Sequence, residues 1–263
     1  MPHLHYLDLD AKGGWDLHDW LDFCETKSNP VRKYRQSLEI ALVSELLSPS
    51  QNDIILDAGI GYGRFSRFLA RHGAYNVGVD ISSSMLRFCK NEFGNSIRLI
   101  KADFRILPFR ENTFSHILCN GVFVHNNHAE MALVELCRVL KPGGTIVLSG
   151  NNILSPIAWF ALIVYKIRRA LSPYINYMPM FYRTPFYYKK ALRKGNCNIT
   201  EVRADTLMAV DFYNINTKKS TAPPALWVNV AKIIDKSFNF FPFKYFGWEI
   251  WIKAVKNSDR KTN

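Results

Sequence analysis

The sequence predicts an α/β fold, doubly wound, with a mostly parallel sheet covered by helices on both faces. Three observations carry this. Short apolar runs alternate with helix-like segments from residue 53 to residue 149, which is the pace of a parallel sheet. Turn and cap residues fall between the runs. The stretch NDIILDAGIGYGRFSRFLARHG, residues 52–73, passes from an apolar run through three glycines into a helical pattern. Glycine costs backbone entropy, so Gly59, Gly61 and Gly63 answer a need: an unusual backbone angle, or a ligand lying against the main chain.

The elements follow in order. Trp15–Leu47 reads as helical, because Asn29-Pro30 is a start signal and Val31, Tyr34, Leu38, Leu42 and Leu46 recur at helical spacing. Ser48-Pro49-Ser50 closes it. Asp53–Asp57 is predicted as the first strand and Arg64–Arg71 as a helix stopped by Gly73. Val77–Asp80 is the second strand, and Ser82–Phe93 a helix with Ser82 as N-cap. Ile97–Lys101 and Ser115–Asn120 are the third and fourth strands. His128–Leu140 is a helix ended by Lys141-Pro142-Gly143-Gly144, and Thr145–Ser149 the fifth strand. Beyond an aromatic stretch, strand character returns at Asn198–Val202 and in WEIWIKAVK, 248–256, with an amphipathic helix at Ala225–Phe238 between them. The domain plan is therefore an N-terminal helical cap (1–50), a ligand-binding core (51–150), an aromatic and basic lid insert (151–195), and strands and a helix (196–263) completing the same domain.

A chain of 263 residues is long enough for one sizeable domain. Its 48% hydrophobic and 21% charged content argues against wholesale disorder. The five cysteines (Cys24, Cys89, Cys119, Cys137, Cys197) form no CxxC pair. That points to a reducing compartment, against a disulfide scaffold or a zinc site. MPHLHYLDLDAKGGWD has no basic segment leading into an apolar one, so the expected location is the cytoplasm. Residues 1–150 carry 16 basic and 16 acidic side chains, whereas residues 151–263 carry 18 basic and 6 acidic. The whole net charge of +12 thus belongs to the C-terminal part. Either that part meets an anionic partner or it is a solvated basic face.

A strand, a glycine turn and a helix start together make a nucleotide-type site at the C-terminal edge of a doubly wound sheet. Here the pattern is Gly59-x-Gly61-x-Gly63, and Arg64 stands where GxGxxG would place its third glycine, which disfavours a dinucleotide. Asp80, 21 residues after Gly59, ends the second strand at the spacing of an acid that accepts from ribose hydroxyls. Its alternative role is to cap the next helix. Asp103 with the Phe104 amide follows the third strand, placed either to read an adenine edge or to cap a loop.

On these residues the chain resembles the class I S-adenosylmethionine-dependent methyltransferases, the type 11 group that includes quinone and sterol methyltransferases. ILDAGIGYG resembles the family's motif I, VGVDISSSML its ribose segment, and KADFRILPFRENTFSHILCNG the stretch into the fourth strand, with Ser115 for the usual Asp. ELCRVLKPGG (135–144) resembles the helix and turn before the fifth strand. The likeness covers roughly residues 50–150. It implies a Rossmann-like, seven-stranded sheet with an antiparallel last strand, for which WEIWIKAVK is the candidate, and S-adenosyl-L-methionine as cofactor.

The resemblance also implies roles. Asp57 supports the glycine loop and reaches the methionine ammonium through water; the Gly59, Gly61 and Gly63 backbone lies along methionine and ribose. Asp80 binds the ribose hydroxyls, and Ile81 and Met85 pack the adenine. Asp103 and Phe104 read its edge, and the Asn120 carbonyl meets the ammonium. Tyr62 and Arg64 depart from the commonest residues and bear on the cofactor lid. A methylsulfonium is a strong electrophile, so the protein aligns the acceptor and excludes water, with a base needed only for an acceptor that must lose a proton. His125, just after the fourth strand, is the candidate base; its other reading is a loop-fixing hydrogen-bonding residue.

His125-x-x-His128 has no third ligand partner, so no metal is expected. Nucleic acid is disfavoured: Asn120-Gly121-Val122-Phe123 lacks the two prolines of amino-nucleobase methyltransferases, and Cys119-Asn120 is not a Pro-Cys nucleophile. Ten aromatics between Trp159 and Tyr188, Trp159, Tyr182, Phe186, Tyr187 and Tyr188 among them, suit a roof over an apolar pocket. Basic Lys166, Arg168 and Arg169 instead suit a peripheral contact with an anionic membrane through 157–169, and a core or dimer face is the third option. The expected function is methyl transfer to a small apolar or amphipathic acceptor, by O- or C-methylation. The alternatives are an RNA methyltransferase using the basic part and a noncatalytic cofactor-binding module.

Overall fold

Ile55, Leu56, Val77, Val79, Ile117, Leu118, Val147 and Leu148 are all buried. Strands buried on both faces are what a parallel sheet between helical layers requires. The computed structural model describes residues 30–171, 181–206, 212–214, 219–221, 225–237 and 245–258. Over these the order is α1 (Pro30–Leu47), β1 (Ile54–Ala58), α2 (Arg64–Ala70), β2 (Tyr75–Asp80), α3 (Ser83–Phe93), β3 (Arg98–Lys101), β4 (Phe114–Cys119), α4 (Ala129–Val139) and β5 (Leu140–Asn151). There follow α5 (Pro156–Leu171), α6 (Pro185–Lys194), β6 (Cys197–Ala204), β7 (Phe212–Asn214), β8 (Lys219–Thr221), α7 (Ala225–Ser237) and β9 (Glu249–Lys256).

Seven strands form one sheet in the order β3-β2-β1-β4-β5-β9-β6. Neighbours are parallel from β3 to β5, and β9 runs antiparallel to both β5 and β6. WEIWIKAVK is thus the antiparallel strand expected, and it lies between β5 and β6, not at an edge. Its Lys256 Nζ donates to the Cys137 and Leu140 carbonyls, 2.8 Å each, and so caps the end of α4. Order reverses between β1 and β4, which opens the crevice where ligands of such sheets bind.

The two sheet faces have separate cores. Ile55, Leu118, Val147 and Trp251 pack under α1 and α2. Leu56, Ile117, Ile146 and Ile252 pack under α4 and α6, together with Tyr188 and Leu192. Ser115, where the resemblance expects Asp, uses its Oγ on the Ile54 amide (3.0 Å) and carbonyl (3.2 Å), pinning β4 to the start of β1.

Several boundaries differ from the sequence reading. β5 starts at Leu140, not Thr145, because Leu140 pairs with Phe114 before a register shift brings Thr145 opposite His116. The hairpin β7–β8 has no counterpart in the reading, because three-residue strands leave too short a pattern to detect. The expected helix over Trp15–Asn29, Tyr174, Tyr177 and the end of the helix at Phe238 lie outside the described residues.

The aromatic segment is corrected in its last third. Pro185–Lys194 is an ordinary sheet-covering helix capped by the Thr184 side chain. Tyr188 is fully buried, 6.1 Å from the Phe123 ring centroid and edge-on to it. Its hydroxyl stands 2.1 Å from where a Cβ at Gly150 would lie, so the glycine admits the ring against the sheet. Tyr188 is core, not roof. The pattern of its helix resembled a lid only because burial against a distant strand leaves no mark on local composition.

Candidate functional site

The glycine loop after β1 has a physical cause at each step. Gly59, Gly61 and Gly63 have φ of +80°, +53° and +80°, a region that L side chains rarely adopt. A Cβ at Gly59 would sit 2.2 Å from Val122 Cγ2, and one at Gly63 2.3 Å from Phe93. At Gly61 it would meet nothing within 4 Å. The outer two glycines therefore serve packing, and the middle one faces open space in the crevice.

Asp80 fixes that middle glycine. Its Oδ2 accepts from the Gly61 amide at 2.8 Å and its Oδ1 from the Ser82 amide at 2.9 Å. These bonds clamp the glycine loop to the turn ahead of α3, so the acid supports the helix start without being its cap. Ser82 also caps α3, accepting from the Met85 amide at 3.4 Å, as expected. Met85 is buried and Ile81 half-buried. Cys89, which the sequence offered only as an unpaired cysteine, donates to the Gly61 carbonyl at 3.2 Å. Burial pushes its thiol up to about 12, so it stays protonated and remains a donor.

Asp57 is buried at the end of β1 and accepts from Ser66 Oγ at 2.6 Å. Burial pushes its carboxyl up to about 6, against the pull of the Ser66 bond, and the Asp80 charge adds to the rise. Asp103 stands after β3, where Arg105 holds it through its backbone amide (2.9 Å) and Nε (2.8 Å). Burial pushes that carboxyl up, but the Arg105 bonds outweigh it and leave the group below its ordinary value. Phe104 packs edge-on to Phe123 at 6.3 Å.

Asn120, just past β4, donates to Ser149 Oγ (2.9 Å) and accepts from Arg64 Nη2 at 3.0 Å. Ser149 also takes the Gly121 amide at 3.1 Å. His125 lies half-buried in the loop beyond, its amide donating to the Val122 carbonyl at 3.2 Å. Arg183 locks this loop by donating to the Phe123 carbonyl at 2.6 Å and to the Asn126 carbonyl. Nothing in the sequence could reveal Arg183, because its partners are about 60 residues away.

Arg64 opens onto a second group that the sequence did not show. It pairs with Glu39 of α1. Glu39, Asp205 and Glu249 bring their carboxylates within 4.8 Å of one another at the C-terminal end of the sheet. Arg35 reaches all three, at 3.7, 3.4 and 3.9 Å, and so occupies the position a cation would take. Burial pushes the Asp205 and Glu249 carboxyls up, and Arg35 pulls them down. An unbroken polar chain thus links Asn120 through Arg64, Glu39 and Arg35 to the start of β9. The only available signal was Arg64 itself, in a place where a glycine is common.

A family model described as a methyltransferase domain matches residues 56–148. The ubiquinone/menaquinone biosynthesis C-methyltransferase of Neisseria meningitidis serogroup C is 37% identical over 114 residues, 41% of this chain and 46% of that protein. The malonyl-[acyl-carrier protein] O-methyltransferase of Buchnera aphidicola is 38% identical over 98 residues, 37% of this chain and 39% of that protein. The chain spans less than half the length of these curated relatives. Among solved structures, the magnesium protoporphyrin IX methyltransferase of Synechocystis PCC 6803, with bound SAH, superposes with a TM-score of 0.60 at 18% identity. That match covers 95% of this chain and 97% of the other, and it is a likeness of fold.

Proposed function

Proceeding from the class I S-adenosylmethionine-dependent methyltransferase domain that this chain carries, we propose that it methylates a small apolar or amphipathic acceptor on oxygen or carbon. One observation supports the donor half of the reading: the Gly61 amide is held on Asp80 while its Cα faces open space at the point where strand order reverses. That is a backbone surface shaped for the donor's ribose and methionine parts. When bound, the donor supplies an electrophilic methyl group on a sulfonium.

The chain's own residues do the rest. Asp80 would hold the ribose hydroxyls, and Ile81 and Met85 would flank the adenine, whose edge Phe104 and Asp103 would address. Asp57 buttresses the loop through Ser66 and, with the Asn120 carbonyl, would hold the donor's ammonium. Arg64, beside Asn120, offers a cation to the donor's carboxylate in exchange for Glu39. His125 takes the proton when the acceptor is a hydroxyl or an acidic carbon. The relatives' acceptors include a quinone-pathway carbon and a carrier-bound acid by name, which supports an apolar or amphipathic acceptor here. In keeping with it, the protein works in the cytoplasm, at the surface of an anionic membrane contacted through residues 157–169.

Calorimetry with S-adenosylmethionine and with NAD tests the donor, and binding of NAD alone would overturn the reading. Transfer of a labelled methyl group to demethylmenaquinone and other apolar acceptors, beside tRNA, tests the acceptor. Label appearing only in RNA would favour the RNA alternative, and donor binding with no transfer to any acceptor a noncatalytic module.

A further inference from the structure

Fourteen large hydrophobic side chains are exposed among the described residues, and eight of them stand on two helices, α5 and α7. On α5, Trp159, Phe160, Ile163 and Ile167 are each more than half exposed and fall on one side at helical spacing. Among that helix's described side chains only Ala158 is buried. On α7, Val228 and Ala231 pack against Val31 and Tyr34 of α1. Leu226 (74% exposed), Val230 and Ile233 (66% exposed) run along the opposite side.

Charge accompanies both stripes. The α5 sequence contains Lys166, Arg168 and Arg169 and no acid. In α7, Lys232 and Lys236 are exposed, and the one acid, Asp235, is turned inward to accept from Tyr34 (3.0 Å) and Thr206 (2.7 Å). The two helices also share an end of the molecule. α5 leaves β5 at Asn151–Asn152, the C-terminal edge of the parallel strands. α7 rides on the half of α1 whose Arg35 reaches Asp205 and Glu249 at that same edge. Neither helix crosses a bilayer, since no helix among the described residues is long and apolar enough.

We propose that α5 and α7 together form a two-part docking surface for an anionic lipid membrane, set beside the mouth of the crevice. Apolar side chains at helical spacing with basic flanks and no outward acid match the chemistry of a headgroup interface, where burial and attraction to anionic lipid add. Two helices at one edge supply the two signals that stable yet reversible attachment needs. The proposal rests on the reading of an apolar acceptor, which such docking would let pass from the bilayer to the crevice without crossing water. It extends the contact from residues 157–169 to a second helix far along the chain.

The test is cosedimentation of the whole protein with vesicles of phosphatidylcholine plus phosphatidylglycerol, and of phosphatidylcholine alone, across a salt series. Quenching of tryptophan fluorescence by lipids brominated in their acyl chains is read in parallel on the unmodified protein. Binding should favour the anionic vesicles by about tenfold or more, and part of it should survive high salt. Leu226→Ser/Ile233→Ser and Ile163→Ser/Ile167→Ser should each lower partitioning by about tenfold or more. Donor binding by calorimetry should stay unchanged in both. Unchanged partitioning in the α7 pair would overturn the two-part surface. So would the absence of vesicle binding and of quenching, or exposed stripes that serve only to hold a second copy, shown by a dimer that either pair dissolves. Loss of donor binding in the unmodified protein would instead refute the methyltransferase reading and leave the vesicle result standing.

Discussion

Residues 56–148 and residues 151–263 of this chain are held together by interactions of different range. In the first, the groups that shape the crevice mostly meet partners nearby: Asp57 meets Ser66, Asp80 meets Gly61 and Ser82, Asp103 meets Arg105. Charge is balanced up to residue 150. In the second, Arg183 clamps a loop some 60 residues earlier, Asp205 and Glu249 meet on α1's arginine, and Tyr188 fills the sheet core. Short-range contacts leave fixed spacings, so the methyl-donor half reads as a motif. Long-range contacts leave only composition, so the half expected to face the acceptor reads as aromatic and basic without a plan.

The contrast can be broken by substitution. The largest effect should come at Gly59, where a methyl group meets Val122 at 2.2 Å in a backbone region hostile to side chains. Gly59→Ala should cost about 2–4 kcal/mol of stability and abolish donor binding. Adding Val122→Ala removes the clashing Cγ2 and should recover part of the loss in a denaturant melt. No recovery would mean that strain alone, and not packing on the post-β4 loop, fixes the glycine.

Next is Asp80→Ala. Losing charge-assisted bonds to the ribose, at about 1.5–3 kcal/mol each, should weaken donor binding more than tenfold. Melting should shift down as well, because the Gly61 and Ser82 amides lose their acceptor. A folded variant with unchanged affinity by calorimetry would reduce the acid to a loop clamp.

The third concerns pH. Asp57 sits near 6 in the fold against an ordinary value of 3.8, so the folded state holds a proton that the unfolded chain releases. Its contribution to stability is therefore full below the ordinary value and is lost as pH rises towards 6. Asp57→Asn, which keeps an acceptor for Ser66, should gain on the parent protein by on the order of 2–3 kcal/mol across that window. Paired denaturant melts at pH 4 and pH 7 read it, and a constant difference would show that Asp57 is ionised throughout.

The smallest expected effect lies in the other half. Tyr182, half-buried and edge-on to Trp248 at 6.1 Å, and the exposed Trp159 have no contact with the glycine loop among those described. Tyr182→Ala and Trp159→Ala should leave donor affinity within about twofold while lowering turnover, consistent with acceptor-side roles. Lost donor affinity in both would move these aromatics over the donor and erase the division between the halves.

The sequence by itself determined the sheet, the glycine loop, the acid at the end of β2 and the cap at Ser82. Each follows from a local rule: apolar periodicity, positive φ, a short-range hydrogen bond. It also carried the methyl-donor reading, since four motifs in fixed order occupy roughly residues 50–150. Only the tertiary structure decided that β9 inserts beside β5, that Tyr188 is core, and that Arg64 joins Asn120 to a buried carboxylate group reaching from α1 to β9. It alone showed α7 turning one apolar side to α1 and the other outward. These depend on which surfaces meet after the chain closes on itself, and a hydrophobic residue carries the same letter whether its partner is a neighbouring strand, a distant helix or a membrane.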